Sequence, residues 1–441
     1  AGLIGGLFTV ALVPRLLSPL VEPGKVYPLF GFHYAVVALQ SWFCNSYVYN
    51  IIFGDSSFIV HYLRFVGLDL AVVKQTGSNF GSHQKHDVAN LCRIESGTMV
   101  SDGLSIINLR QSSSSFKIDQ ATIGDHSFLG NQVLYIAGAR LGAGNLLATK
   151  VMVPLDGPVL SHVGLLGSPA FQIPRTTVTA RAFDPLAPSQ RGALQAKNRH
   201  NALTLVQYLT LIWGSTLLTM AIGTATHALY PAWGNAALLA AAAFLPIASV
   251  AYFVTMERNG PGALTLEPRN CTIHDLHFWR VERYWKMGET PLKVGFKGTP
   301  FRPWIYRLLG VRMGRRVFDD GCIITEKGLT EIGDDCCLNE ATSLQCHSLE
   351  DGLFKSDHIR LGAGCTLAVG AFVNYGAEMK ERSYLQAGSF LMKGSMVRVQ
   401  EVWGGNPARA LPPDGHAATC REPKRASSDN VSGKALASAG A

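Results

Sequence analysis

An apolar beat of six residues runs through this chain twice, and the two runs keep register at one fixed offset in numbering. The later run is Leu361, Leu367, Val373, Met379, Leu385, Leu391, Val397. Subtracting 238 from each gives Ile123, Leu129, Tyr135, Leu141, Leu147, Val153 and Val159, with no gap. The same shift carries Ile332, Leu338 and Leu344 onto Ile94, Val100 and Ile106, and Phe354-Lys355 onto Phe116-Lys117. It carries Gly405-Asn406-Pro407-Ala408 onto Gly167-Ser168-Pro169-Ala170. Self-similarity at a fixed period is the mark of a repeat architecture.

A helix would place apolar residues every three to four positions and a half-buried strand every two. A beat of six fits neither. It fits a chain that runs a short strand, turns by a third of a circle and repeats, so that one inward aliphatic per face stacks on the one a full coil earlier. Gly124, Gly130, Gly138, Gly142, Gly362, Gly364, Gly370 and Gly376 fall where tight corners need a permissive residue. The fold class expected is therefore mixed: two parallel β-helices of hexapeptide type, 55–200 and 311–411, alternating with membrane-spanning helical hairpins. Proteins of that class coil left-handed, against the usual crossover rule.

The hairpins are read from charge. Residues 201–256 contain no Asp, Glu, Lys or Arg. Two spans of about 20 residues, 203–223 and 236–256, fit inside, with Tyr230, Pro231, Trp233, Gly234 and Asn235 as an interfacial turn. A similar pair is expected over 1–54, its first helix truncated within 1–14 and its second within the uncharged, aromatic-rich 26–54. Ala1 stands in an apolar stretch where a Met would begin a chain, suggesting a piece of a longer polypeptide. Paired spans return the chain to one side, and the β-helix segments and their flanks carry nearly all the Lys and Arg. The positive-inside tendency then places both β-helices in the cytoplasm.

The formal net charge of +8 is spread out, and no aromatic-basic recognition motif accompanies it, so nucleic acid is not an expected partner. A membrane is. Nine cysteines form no Cys-x-x-Cys pair, which argues against structural zinc and a secreted disulfide framework. Between 257 and 310 a basic-aromatic stretch, including His277-Phe278-Trp279-Arg280 and Tyr284-Trp285-Lys286, is expected as an amphipathic connector on the membrane surface, with a packing arm on the β-helix flank as the alternative. Residues 412–441 have the composition of a disordered tail.

Chemistry is expected where the later beat is interrupted, between Leu344 and Leu361. The intervening loop holds Cys346, His347, Glu350, Asp351, Lys355, Asp357 and His358. His347 can take a proton from an amine or hydroxyl nucleophile, and Glu350 or Asp351 can fix its tautomer or hold a cationic substrate. Cys346, Lys355, Asp357 and His358 are the candidate substrate-binding residues. The 238 shift sends His347 to Leu109 and Glu350-Asp351 to Ser112-Ser113, so the first copy lacks this acid-base set and reads as degenerate. His126 and His162 read as surface residues. Two histidines near the interruption are too few for the three-His zinc site of a β-helix carbonic anhydrase, and no metal site is assigned.

Gly298-Thr299-Pro300-Phe301-Arg302-Pro303-Trp304, Leu308-Leu309-Gly310, Ile323-Ile324-Thr325-Glu326, His347-Ser348-Leu349-Glu350-Asp351 and Gly405-Asn406-Pro407-Ala408-Arg409 resemble the C-terminal region of poly-lysine-synthetase-like membrane non-ribosomal peptide synthetases. The resemblance implies tandem hexapeptide acyltransferase-like domains separated by membrane helix pairs. It implies amide-bond formation from a phosphopantetheine-linked aminoacyl thioester onto an amino acid or peptide amine. Adenylation and carrier domains would be the partners, since the chain has neither, and it would bind no cofactor of its own. A stand-alone coenzyme A-dependent O- or N-acyltransferase, possible as an oligomer, and a non-catalytic membrane scaffold are the rival readings.

Overall fold

The computed structural model describes residues 2–71, 80, 84–175, 177, 188–288, 295–350 and 353–412, with the side chains of 188–191 and 350 excepted. The expected tail from 413 onward, and Asp351, lie outside the described residues.

The later beat builds a prism of three sheets. Arg312–Met313, Thr330–Ile332, Ile359–Leu361, Glu378–Met379 and Met396–Val397 pair in parallel along one face. A second face stacks Phe318–Asp319, Cys337–Leu338, Thr366–Leu367, Tyr384–Leu385 and Val402–Gly404, closed by antiparallel Arg409–Ala410. The third stacks Ile323–Ile324, Ser343–Gln345, Phe372–Asn374 and Phe390–Leu391. Register explains the beat: Leu361 opposes Met379 and Met379 opposes Val397, so each coil takes three beats, one per face. Leu338, Leu344, Leu367, Val373, Leu385, Leu391 and Val397 have no exposed surface. Each such side chain contributes about 1.5–3 kcal/mol of burial. At the corners Gly370 holds φ +67°, and a Cβ on Gly362 would meet the backbone of Glu381 in the next coil at 2.8 Å.

The earlier beat builds the same prism from shorter stacks. Ile94 pairs with Ile123, Val100 with Leu129, Leu129 with Leu147, and Ile106 with Tyr135. Its last expected member departs from the pattern. Val159 is exposed and Leu160 takes the bridge to Leu141, a slip of one residue confined to that face, since Leu147 still opposes Leu165 at the plain spacing. The interruption of the beat is common to both copies. The coils from Ile94 to Ile123 and from Ile332 to Leu361 are both longer than the plain coil from Leu361 to Met379, and the surplus forms an antiparallel hairpin. In the first copy this is Leu109–Gln111 with Ser115–Ile118; in the second, His347–Glu350 with Leu353–Ser356.

Among the described residues the α-helices are α1 (Gly2–Leu17), α2 (Phe32–Cys44), α3 (Tyr47–Phe53), α4 (Ile59–Val66), α5 (Pro188–Trp233), α6 (Asn235–Asn259), α7 (Leu276–Gly288) and α8 (Phe301–Leu308). Three stretches there are long and apolar enough to cross a membrane: Gly2–Leu20, Gly192–Trp233 and Asn235–Asn259, with mean hydropathy 1.7, 1.5 and 2.2. The spans expected at 203–223 and 236–256 lie inside the last two. The helix continues through Tyr230 and Trp233 and breaks only at Gly234. The expected span within 26–54 is not one helix. It is the strand Val26–Pro28 followed by α2 and α3, of 13 and 7 residues, each too short for a bilayer. Gly31, Asn45 and Gly54 bound these pieces. The membrane-length stretch of this region is α1 together with the 3₁₀ turn Ser18–Leu20 that continues it.

Within the 257–310 connector α7 is packed rather than laid on a surface, while α8 leaves Phe301, Trp304 and Leu308 exposed. Phe278, Val281, Glu282, Tyr284, Lys286 and Met287 of α7 are buried, so polar and apolar sides are both covered. A fully buried Lys197–Glu282 pair at 2.9 Å fastens α7 to α5, and α7 follows the strand Asn270–Thr272, which pairs with the 353–356 strand of the hairpin. In the first copy the strand Val26–Pro28 pairs with 115–118 in the same way and is followed by α2. The duplication therefore extends upstream of the prisms. The prisms also touch: Asn131 Nδ2 donates to Gln345 Oε1 at 2.8 Å, Lys150 Nζ to the Gly370 carbonyl, and Asn406 Nδ2 to the Lys150 carbonyl at 2.7 Å.

Candidate active site

His347 is the first residue of the hairpin, placed where the chain leaves the prism. Ile324 stacks on Leu344, so the next corner brings Glu326 over Cys346, one residue from His347. Glu326 Oε1 lies 2.6 Å from His347 Nδ1. The indole N–H of Trp285, in the last turn of α7, donates to the same oxygen at 2.7 Å. The Cys346 backbone N–H donates to Oε2 at 2.9 Å, and the Thr325 hydroxyl donates to it as well. Glu326 is wholly buried. Burial alone would raise its pKa, but the His347 charge and the hydrogen bonds from His347, Thr325 and Trp285 outweigh it and hold the carboxyl below its ordinary value.

The imidazole is clamped as well as paired. Trp285 stacks on one side at 4.4 Å between centroids and 29° between planes. Phe354, from the returning hairpin strand, lies at 5.7 Å and 30°. With Nδ1 engaged by a carboxylate, the tautomer is set and Nε2 is the nitrogen left for proton transfer. His347 is 9% exposed, so the imidazole is largely withdrawn from water. It has a neighbour from the first copy. Asn131 donates to Gln345, whose Nε2 donates to the His347 carbonyl at 3.0 Å, and Met99 packs against the aromatic cluster of Phe278 and Phe354.

The other expected residues divide. Among the described residues the carboxylate that meets His347 is Glu326, which the sequence pattern does not single out; the Glu350 side chain and all of Asp351 lie outside the described residues. Cys346 does not line a substrate site. It is buried in the core, its thiol within hydrogen-bonding range of Thr330 Oγ1 and the Leu329 carbonyl, and burial pushes its pKa well up. Lys355 sits mid-strand opposite Ser348 and Asn270. Asp357 is exposed and His358 half-buried just past the hairpin base, with Nδ1 and Oδ1 3.5 Å apart.

In the first copy Leu109 replaces His347 and Val88 replaces Glu326 by the 238 shift. A carboxylate survives one position earlier: Asp87 Oδ2 accepts the N–H groups of Asn108 at 2.9 Å and Leu109 at 3.1 Å. It braces the hairpin at the place where its counterpart would hold an imidazole.

Fold and site together define a hexapeptide β-helix protein with three helices long and apolar enough to cross a membrane and a buried His–Glu dyad. No known family model matches the chain. The chain is similar to the delta-poly-L-ornithine synthetase of Acinetobacter baumannii (strain AB307-0294), 28% identical over 146 residues, which is 32% of this chain and 11% of that protein. It thus spans about a tenth of the length of the curated relative it matches. Similar solved structures include a hexapeptide transferase family protein from Anaplasma phagocytophilum, 25% identical over 23% of this chain and 54% of that one, TM-score 0.19. A maltose O-acetyltransferase from Clostridium difficile 630 is 18% identical over 33% of this chain and 93% of that one, TM-score 0.27.

Proposed function

We propose that the chain is a membrane-anchored acyltransferase module that forms amide bonds, with its two β-helices, left-handed in coil, on the cytoplasmic side. The donor is an aminoacyl thioester of phosphopantetheine, on a carrier or on coenzyme A, and the acceptor an amino acid or peptide amine. Adenylation and carrier domains of a non-ribosomal peptide synthetase supply the donor. The observation that carries the reading is the buried Glu326–His347 dyad, whose two positions hold Val88 and Leu109 in the first copy. The similarity to a poly-ornithine synthetase, and three helices of membrane length, support it.

His347 Nε2 takes a proton from the amine as its nitrogen attacks the thioester carbonyl carbon. A C–N bond forms, and backbone N–H groups at a coil corner stabilise the tetrahedral oxyanion. The C–S bond then breaks, the imidazolium returns the proton to the leaving thiolate, and amide and thiol are released. Glu326 holds the tautomer and offsets the imidazolium charge. Lys355 on the returning hairpin strand, and Asp357 and His358 just past it, are the candidate substrate contacts.

The test uses the whole chain in lipid nanodiscs with the pantetheine thioester of L-ornithine and free L-ornithine, the amide being detected by mass spectrometry. His347→Ala is expected to abolish the product. Full product from that variant removes His347 from the mechanism, and turnover with acetyl-coenzyme A and small amines alone moves the assignment to a stand-alone acetyltransferase.

A further inference from the structure

Glu257 lies near the C-terminal end of the membrane-length helix α6, and Lys327 is the residue after Glu326. Their side chains meet at 2.5 Å, each 3% exposed. Lys327 opens the 3₁₀ turn Lys327–Leu329, whose approach places Glu326. Its ammonium lies 5.1 Å from the ring centroid of Tyr284, the neighbour of Trp285 on α7. Gly288 leaves the room: a Cβ there would stand 3.1 Å from Lys327 Nζ and 3.5 Å from a Glu257 carboxylate oxygen. One buried contact thus joins the membrane helix, the helix carrying Trp285 and the turn carrying Glu326.

The first copy is an internal control. Arg258 donates to the Leu308 carbonyl and Arg15 to the Phe65 carbonyl; subtracting 243 from both members of the first pair gives the second. Arg307 Nε donates to the Met313 carbonyl and Arg64 Nε to the Leu70 carbonyl, again offset by 243. These clasps persist in both copies, so they belong to the architecture. The register they fix puts Pro14 where Glu257 stands, and the 238 shift puts Ala89 where Lys327 stands. Asn270 and Val26 share a pairing position offset by 244, and α7 and α2 start 244 apart, so Tyr284 corresponds to Gln40 and Trp285 to Ser41. The first copy folds into the same prism, hairpin and helices without the pair. What it lacks together is the pair, the indole, the carboxylate and the imidazole.

We infer that the Glu257–Lys327 pair is a positioning device for the dyad, which makes the membrane helix α6 part of the catalytic assembly rather than only its anchor. The inference rests on the function proposed above. A buried ion pair is weak evidence for stability, since replacing both members by apolar residues of similar volume is often neutral, whereas removing one leaves an uncompensated charge. Its retention in one copy therefore calls for another reason, and holding the Thr325-Glu326 corner in line with His347 supplies it.

The experiment compares Glu257→Met/Lys327→Met, Glu257→Asp/Lys327→Arg and His347→Ala in the nanodisc assay, with thermal unfolding of each. The apolar double variant is expected to unfold at the wild-type midpoint, with kcat reduced about ten- to a hundred-fold and KM unchanged, as misplacement of a reacting group does. The charge-retaining double variant should recover most of the loss. Wild-type kcat in the apolar variant overturns the inference. So does failure of that variant to fold, because the pair would then be structural, and so does an equal loss in the charge-retaining variant. If His347→Ala keeps full turnover, the proposed function fails by itself, whatever the pair does.

Discussion

Glu326→Gln is the most informative single substitution, because it changes charge and donor pattern with almost no change in volume. Four donors converge on the carboxylate: His347 and Trp285 on one oxygen, Cys346 and Thr325 on the other. A carboxamide has one acceptor oxygen and one donor nitrogen. If its oxygen faces His347 and Trp285, its NH₂ faces the Cys346 N–H and leaves that buried donor unsatisfied, at a cost of about 1–3 kcal/mol. If it flips, the NH₂ faces Nδ1, the imidazole must accept there, and the proton moves to Nε2, the nitrogen that has to act as base. The electrostatic loss is separate. A carboxylate and an imidazolium with N···O at 2.6 Å have charge centres ~4 Å apart, which at an effective dielectric of ~20 is worth about 4 kcal/mol. At about 1.4 kcal/mol per factor of ten, kcat should fall about 10³-fold with KM little changed. The nanodisc amide assay reads both constants, and Glu326→Gln/His347→Ala should be no slower than His347→Ala alone. A Glu326→Gln enzyme within about threefold of wild-type kcat would refute the reasoning, because no charge of that proximity could then be helping the imidazole.

Two further outcomes follow from the same geometry. Because the Glu326 carboxyl is held below its ordinary value in the folded chain, its contribution to stability is complete above the unfolded carboxylate pKa and disappears as pH falls through the lowered folded value. The difference in thermal midpoint between wild type and Glu326→Gln should therefore shrink toward acid; a gap that stays constant from neutral to strongly acidic pH contradicts the ionised assignment. Ile247 sits at the middle of α6 and is 66% exposed, so Ile247→Arg places a charge at mid-bilayer depth at a cost of about 2.5–3.5 kcal/mol. The thermal midpoint of that variant in nanodiscs should fall below that of wild type, and an unchanged midpoint would argue against a spanning α6.

The prisms are legible because every sixth residue obeys one geometric demand, an inward aliphatic per face, and Leu338, Leu367 and Leu385 report it without help from neighbours. The hairpin is legible only in the second copy, where His347 and its polar neighbours stand out against the beat. In the first copy Leu109 to Ile118 looks like more β-helix, and its antiparallel pairing depends on contacts that no local pattern encodes. The 26–54 stretch imitates a span because absence of charge is necessary for one but not sufficient; Gly31, Asn45 and Gly54 cut it into short pieces, each burying one side in the first copy's core while Phe32, Trp42 and Tyr47 stay exposed. Glu326 does not announce itself as the partner of His347, because the two are 21 positions apart. The register of Ile324 on Leu344 makes them neighbours, and that coil is longer than the plain coils, so the beat downstream does not reveal it. Trp285 comes from a helix whose sequence looks amphipathic but whose polar side is filled by Lys197 and its pairing with Glu282.

Comparison of the two copies separates what the architecture needs from what the chemistry needs. Arg15 and Arg258, and Arg64 and Arg307, clasp backbone carbonyls at matching places, and both hairpins take a third strand from upstream. They satisfy backbone groups at matching places, two of them in exposed bonds, and so mark what the two copies share as architecture. The dyad obeys a different logic. A carboxylate buried with no exposed surface is tolerable only when charge and donors converge on it, and once Leu109 replaces the imidazole that compensation is gone. Val88 in place of Glu326 is what this penalty demands, and Asp87, satisfied by two backbone N–H groups, is the carboxylate that the position can still hold. The first copy keeps a physical role all the same: Asn131 braces Gln345, Gln345 braces the His347 backbone, and the loss of that first hydrogen bond would loosen the imidazole without touching it.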